Sequence, residues 1–433
     1  MSIHLSRSIL LFHAAVLALA PLASTAIERI SVGGDGGQAN SQSRYPGISG
    51  DGRYVVFNSD ASNLVAGDTN GMADLFVRDR VLGTTTRISV GPNGAQGDGP
   101  SYTAAISGDG SRIVFASHAR LLPTSGYQNC YLLDRSAQTL QILDLLPNGQ
   151  PAITCASASI DYAGSRVALV SLDPLDPADT GGYDVYVRHL GGSSLTRVSR
   201  APGGGPTNGT NTDARLSGDG SRVIFASSAS NLVAGDTNGE TDIFLAATDN
   251  SMPTVRVNVG PGNAQASAPG GTGTISALNA DGSLVAFSSK SQSLPDPSAT
   301  AESTLYLRLP ESDQTIALSI PLDGLPREGF NGEPDFDYSG RWLVFASTDI
   351  LFDGAEPGIY VIDLVDAWIA LVSVGGNTGN VHEPRISADG RGIVWYSFST
   401  TQVPGDSNGT WDVFYADNPL WVDTPIFTDG FDG

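Results

Sequence analysis

The sequence predicts an all-β fold: a seven-bladed β-propeller of four-stranded antiparallel blades, closed by an N-terminal strand that completes the last blade. Three observations carry this. One hairpin motif recurs seven times, the copies fill the chain beyond its first 26 residues, and the strand missing from the last copy stands at the beginning.

The hairpin motif is clearest in Ile48-Ser-Gly-Asp-Gly-Arg-Tyr-Val-Val-Phe-Asn-Ser59. It returns from Ile106 to Ser117, from Leu216 to Ser227 and from Ile386 to Ser397, with weaker copies at Asp161–Ser171, Asn279–Ser288 and Asp337–Ser347. Its turn glycines are Gly52, Gly110, Gly164, Gly220, Gly282, Gly340 and Gly390, spaced by 58, 54, 56, 62, 58 and 50 residues. A fixed period of this length signals a repeat architecture. Each copy holds four strand signals: a short strand ending in Ile-Ser, a β-rich run after the Asp-Gly turn, a third strand such as Asp74–Asp79, and a fourth such as Thr86–Val90. Strands bounded by Gly, Asn, Asp and Pro clusters read as antiparallel sheet, and four per repeat is the pattern of a propeller blade. The last copy has its third strand, Asp412–Asp417, but no fourth. Ile27-Glu-Arg-Ile-Ser-Val32 matches the fourth-strand sequence Thr86-Arg-Ile-Ser-Val90 and is expected to take that place, leaving no open sheet edge. The repeated Phe57, Phe115, Phe225 and Phe345 are expected to pack between blades.

The Ser-x-Asp-Gly-x-x-(Val/Ile)-x-Phe-x-Ser unit, followed by Asp-(Leu/Ile/Val)-Phe, resembles the repeat of TolB-type propellers, also called PD40 or WD40-like repeats. The resemblance covers essentially the whole chain after residue 26. It implies the fold and leaves function open, because such propellers include scaffolds, periplasmic partner-binding proteins and domains attached to peptidases.

The first residues look like an export leader. Arg7 precedes an apolar run from Ile9 to Leu22, and Ser24-Thr25-Ala26 offers small residues for cleavage. The expected organisation is a leader at 1–26, a propeller at 27–417 and a C-terminal tail at 418–433. The tail's Ile426-Phe-Thr-Asp-Gly-Phe-Asp432 resembles the short acidic aromatic terminus of some exported Gram-negative proteins and implies a sorting tag. The leader's apolar run is too short to span a bilayer and no later one is longer, so no membrane span is expected and the protein reads as periplasmic or extracellular. The net charge is -22, with Lys290 the only lysine. Such a chain repels phosphate backbones and anionic lipid surfaces, which argues against nucleic acid as a partner.

The most chemical-looking motif lies between the second and third strands. It reads Asp68-Thr-Asn70-Gly-Met-Ala-Asp74, then Asp236-Thr-Asn238-Gly-Glu-Thr-Asp242 and Asp406-Ser-Asn408-Gly-Thr-Trp-Asp412, with a shortened copy at Asp179–Asp184. Hard oxygens at relative positions 1, 3 and 7 around a glycine turn suit calcium. The same residues also make simple Asx turns. Cys130 starts a third strand and Cys155 the next blade's first strand, so a disulfide between blades 2 and 3 is consistent with an exported chain.

No nucleophile elbow, P-loop or His-Glu-x-x-His is present. His118, His189 and His382 fall in different blades, His382 in a loop before a first strand, which argues against a shared zinc site. The expected function is a non-catalytic, monomeric binding or scaffold module for a protein or polysaccharide at the face that carries the blade connectors and the Asp-x-Asn-Gly loops. The alternative is a lyase or glycoside hydrolase at the central channel. His382-Glu383 and Arg327-Glu328 depart from the repeat and are the residues such a site would use. Polar non-repeat residues clustering at the channel mouth would distinguish the two.

Overall fold

The computed structural model describes residues 26–421, except 180, 193, 268–275, 296–302, 320–328, 350, 352–355 and 376–379, together with the backbone of Ala18–Leu19. The expected leader is therefore almost wholly outside the described residues, as are most of the tail and Arg327-Glu328.

Seven antiparallel sheets follow one another in sequence. Blade 1 is typical: Ser43–Ile48, Tyr54–Ser59, Asp74–Asp79 and Thr84–Arg87 lie side by side in chain order. In blade 7 the strands Val381–Ile386, Gly392–Ser397 and Asp412–Asp417 are joined by Glu28–Arg29, which pairs antiparallel with Phe414 and Tyr415. The N-terminal strand thus closes the ring as the sequence predicts. In blade 6, Ala18–Leu19 adds in parallel beside Trp368 and Ile369. Among the described residues no helix is long and apolar enough to cross a membrane.

The repeat motif explains each hairpin. The turn glycines have φ between 65° and 76°, a region where a side chain is strained. In the strong copies the serine before the turn links both sides: Ser49 Oγ donates to Asp51 and accepts from the Tyr54 N–H at 2.9 Å. The weak copies move the polar group instead of losing it. Asp337 stands where blade 1 has Ser49, and its carboxylate accepts the Trp342 N–H at 2.7 Å and the Ser339 N–H at 3.1 Å.

Strand alternation builds the core. On the second strand of blade 1, Phe57 packs with Val394, Val413 and Tyr415 of blade 7, while its neighbour Val56 packs with Phe115 and Tyr131 of blade 2. A period of two delivers successive side chains to opposite faces, so each sheet fills two interfaces. Phe57, Phe115, Phe225 and Phe345 are all fully buried. Each stacks on the aromatic opposite it in the third strand, as Phe57 does on Phe76 at 5.8 Å and Phe345 on Tyr360 at 5.7 Å.

Cys130 and Cys155 are joined by a disulfide, with α-carbons 5.6 Å apart, tying blade 2 to blade 3. It closes a loop across 25 residues. Replacing both cysteines with alanine should lower stability by about 2–4 kcal/mol, measured by urea unfolding. An unchanged midpoint would show that the interblade contacts already fix this seam.

Candidate functional site: the central channel

The first strands line the central axis. They are Ser43–Ile48, Ser101–Ile106, Cys155–Ile160, Asn211–Leu216, Ala277–Leu278, Asn331–Phe336 and Val381–Ile386. Between them lies a cavity of about 370 Å³, bordered by residues of blades 1, 2, 3, 4, 6 and 7. Most of these strands slip register against the second strand just after their start, for example between Arg44 and Gly47 and between His382 and Arg385. The bulge re-aims side chains toward the axis. Tyr45, Asp213, Glu333 and Glu383 occupy the same place in four blades, and all have positive φ, from 46° to 56°. Left-handed backbone at non-glycine residues costs about 1–3 kcal/mol each and concentrates at functional sites.

The wall is strongly asymmetric. Blades 2 and 3 present small residues, Thr103, Ala105, Ser157 and Ser159. Blades 4, 6 and 7 present Asp213, Arg215, Asp335, Glu383 and Arg385. Several of these charges hold one another. Arg385 Nη2 lies 3.5 Å from Glu383 Oε2, and His382 Nδ1 lies 3.5 Å from Glu333 Oε1. Glu333 also accepts the Glu383 N–H at 2.6 Å, and Asp335 accepts the Ile386 N–H at 3.0 Å. Among the described residues the Arg215 side chain makes no hydrogen bond and no ion pair, although it borders the cavity.

Burial dominates the electrostatics here. It raises the pKa of Asp335, against the opposing pull of Arg385 and Arg215, and that of Glu383, against Arg385. Burial first, then repulsion from Arg385, lowers Arg215 to about 10, so its guanidinium remains charged near neutrality.

Aromatic residues edge the mouth on the connector side. His382 stacks on Tyr396 at 5.5 Å and meets Trp411 at 5.4 Å, and Tyr45 meets Tyr396 at 5.7 Å. On blade 2, His118 lies 5.1 Å from Tyr102 and 5.0 Å from Tyr127, whose ring is 63% exposed. Trp411 belongs to the Asp-x-Asn-Gly loop of blade 7, where blades 1 and 4 carry Ala73 and Thr241.

His382 is not in a loop: it is the second residue of a first strand, paired with Tyr396. Of the off-repeat pair His382-Glu383, the glutamate borders the channel cavity. Asp213, Arg215, Glu333, Asp335 and Arg385 were missed. A usable signal exists, because the channel-facing positions stand seven and five residues before each turn glycine.

The Asp-x-Asn-Gly loops form a different kind of cluster, and each is completed by an arginine. Arg87 Nη1 lies 2.9 Å from Asp68 and 3.2 Å from Asp74. Arg256 Nη1 lies 3.0 Å from Asp236 and 2.8 Å from Asp242. In blade 7 the arginine arrives with the N-terminal strand: Arg29 stands 3.5 Å from Asp406 and 3.9 Å from Asp412. The asparagines turn their amide donors inward, Asn70 to Asp74 at 3.1 Å, Asn238 to Asp242 at 3.1 Å and Asn408 to Asp412 at 3.0 Å. Their oxygens accept a backbone N–H two residues on, as Asn70 does from Met72 at 3.1 Å. Ser89 and Ser31 donate to the inner carboxylates Asp74 and Asp412, both at 2.5 Å. The geometry therefore gives calcium no support at these loops, since a guanidinium supplies the positive charge. Among the described residues no group of three or more His, Cys, Asp or Glu could hold a metal ion.

No protein-family description matches the chain, and no curated protein does. Solved structures do. An oligogalacturonate lyase in complex with manganese aligns at a TM-score of 0.55 with 14% identity, over 93% of this chain and 96% of that one. An oligogalacturonate lyase from Vibrio parahaemolyticus aligns at 0.51 with 12% identity, over 92% and 98%. The β-propeller domain of the trilobed protease from Pyrococcus furiosus, described as having an open velcro topology, aligns at 0.52 with 10% identity, over 90% and 98%. At such identities the likeness is one of fold: the chain is a seven-bladed β-propeller, closed by its N-terminal strand.

Proposed function

We propose that this protein is an exported binding module for an acidic polysaccharide, and that the channel pocket is its ligand site, where Arg215 and Arg385 locally offset the repulsion that the chain's net charge of -22 exerts on an anion. The observation that carries the reading is Arg215, a charged guanidinium bordering a cavity of about 370 Å³ whose side chain, among the described residues, makes no hydrogen bond or ion pair, while Asp335, Glu383 and Asp213 act on it only at longer range. A cavity of this size is in the range of small-ligand sites. A carboxylate would give Arg215 the two-pronged partner that guanidinium geometry favours. The aromatic edge of Tyr102, Tyr127, His382 and Trp411 offers flat apolar faces with polar tips, suited to sugar rings. The TolB-like repeat and the leader-like first residues support export and partner binding.

A second reading, a lyase or glycoside hydrolase, is favoured by the clustering of Asp213, Asp335, Glu383 and Arg385 at the channel, the feature expected of it, and by the raised pKa values of Asp335 and Glu383, which suit proton transfer. The fold likeness to oligogalacturonate lyase is compatible with it. One calorimetric series separates the readings: galacturonic acid oligomers and neutral galactose oligomers titrated into the protein, with the products checked by chromatography. Saturable binding of the acidic series alone, without breakdown, is expected. Arg215→Ala should weaken it at least about tenfold, as loss of a charged hydrogen-bonded partner implies. Cleaved products would establish the enzymatic reading, and equal binding of neutral oligomers would remove Arg215 from its role.

A further inference from the structure

Among the described residues, one end of the channel is narrowed by aromatic rings. First strands end in apolar residues, and Ile48, Ile106, Ile160, Leu216 and Ile386 border the cavity beneath the charged tier. Below them lie Tyr162 of blade 3 and Tyr338 of blade 6, which reach across the axis until their ring centroids are 4.9 Å apart. The other blades make room for them. A Cβ on Gly108 would stand 2.2 Å from Tyr162, one on Gly50 2.5 Å from it, and one on Gly218 2.8 Å from Tyr338.

The backbone beside this plug is stitched from blade to blade. The Gly50 N–H donates to Gly108 O at 2.8 Å, Gly108 to Tyr162 at 2.8 Å and Tyr162 to Gly218 at 2.9 Å. Tyr338 donates to Ala388 at 3.1 Å, and Asp389 returns to Gly50 at 3.1 Å. The two aromatic rings therefore sit in a rigid backbone frame. The opposite end is open, and Tyr102, Thr103, Thr212 and Asp213 are all solvent-exposed there.

From this geometry we infer that the pocket takes the end of a glycan chain and not an internal stretch. The inference rests on the acidic-polysaccharide reading. A polymer cannot thread a tube so narrowed at one end, and an internal segment entering it would have to fold back through the same mouth. A terminal sugar enters alone, with its carboxylate toward Arg215 and the following residues over the aromatic edge.

The test uses the wild-type protein and size-fractionated uronic acid oligomers of increasing length, followed by calorimetry and by sedimentation of the complexes. The expected result is one protein per chain at every length, with binding reduced at least tenfold when one end is chemically blocked and unchanged when the other is. Several proteins per chain on long oligomers, or indifference to blocking of either end, would overturn end recognition while leaving the glycan reading standing. No binding of any oligomer would remove both.

Discussion

We expect Arg87→Ala to destabilise the protein by about 3–5 kcal/mol, the range seen when one partner of a buried ion pair is removed. The size follows from what stays behind. The Asp68 and Asp74 side chains are 4% and 1% exposed, and Arg87 is the cation that contacts both. Without it, two carboxylates face each other in a poorly solvated loop. Burial already raises the pKa of Asp68 against the pull of Arg87. Arg53→Ala provides the contrast: Arg53 pairs with Asp79 at 2.7 Å, but its side chain is 34% exposed. Loss of that solvent-screened pair should cost clearly less than loss of Arg87. Equal effects of the two substitutions would contradict the clamp. Calcium at millimolar concentration should leave the melting temperature of the wild-type protein unchanged. A rise would mean that calcium competes with the guanidinium.

The second large effect concerns Asp144 in blade 2. Here the polar pair is inverted: Asn129 stands where blade 1 has Asp74, and Asp144 where it has Ser89. The Asp144 carboxylate accepts from Asn129 Nδ2 at 2.8 Å and from the Cys130 N–H at 2.9 Å. Ile142 replaces the arginine, so among the described residues no guanidinium pairs with it, and Arg188 acts on it only at longer range. Burial raises its pKa from 3.8 to about 7. The folded state therefore holds a proton that the unfolded chain releases near pH 4. The contribution of this group is complete below the unfolded pKa and is lost as pH rises through about 7. Between pH 5 and 8 the loss amounts to about 2–3 kcal/mol, from 1.36 kcal/mol per unit of pKa. Asp144→Asn keeps the shape and cannot ionise. Its stability relative to the wild type should rise by that amount over the same interval, read from urea unfolding at successive pH values. A constant difference would place the Asp144 pKa outside this window.

Much of the fold is written in local signals. The turn glycines, the alternating second strands and the fourth-strand sequence at Ile27–Val32 each depend on neighbours a few residues away. The candidate sites depend on distant ones. Asp68, Asn70 and Asp74 read as calcium ligands because their spacing is local, whereas the arginine that answers them sits on the fourth strand, 13 residues beyond Asp74, or in blade 7 at the opposite end of the chain. Arg29 and Arg87 were visible as part of the motif that predicts ring closure, but only the folded sheet shows what their charge does. His382-Glu383 stood out because blade 7 breaks its own repeat there. Arg215 did not, because an isolated arginine in a strand is ordinary until the bulge at Thr212 to Arg215 sets its direction.

Ring closure also sets an order of events. Ser31 meets Asp412, and the Ile30 N–H meets Val413 O at 2.8 Å, across a separation of 381 residues in the first case. Contacts so far apart in sequence form late. During synthesis, the segment that finishes the molecule leaves the ribosome before any blade and waits unpaired until the last one emerges. A chain stopped before Asp412 lacks the surface that would receive it. The seam thus distinguishes complete chains from truncated ones, and a truncated ring keeps a bare strand edge open to other chains. The same proximity makes the seam a natural place to rejoin: linking the two ends near it and cutting between two other blades should yield a circular permutant with the same architecture and a different order of assembly.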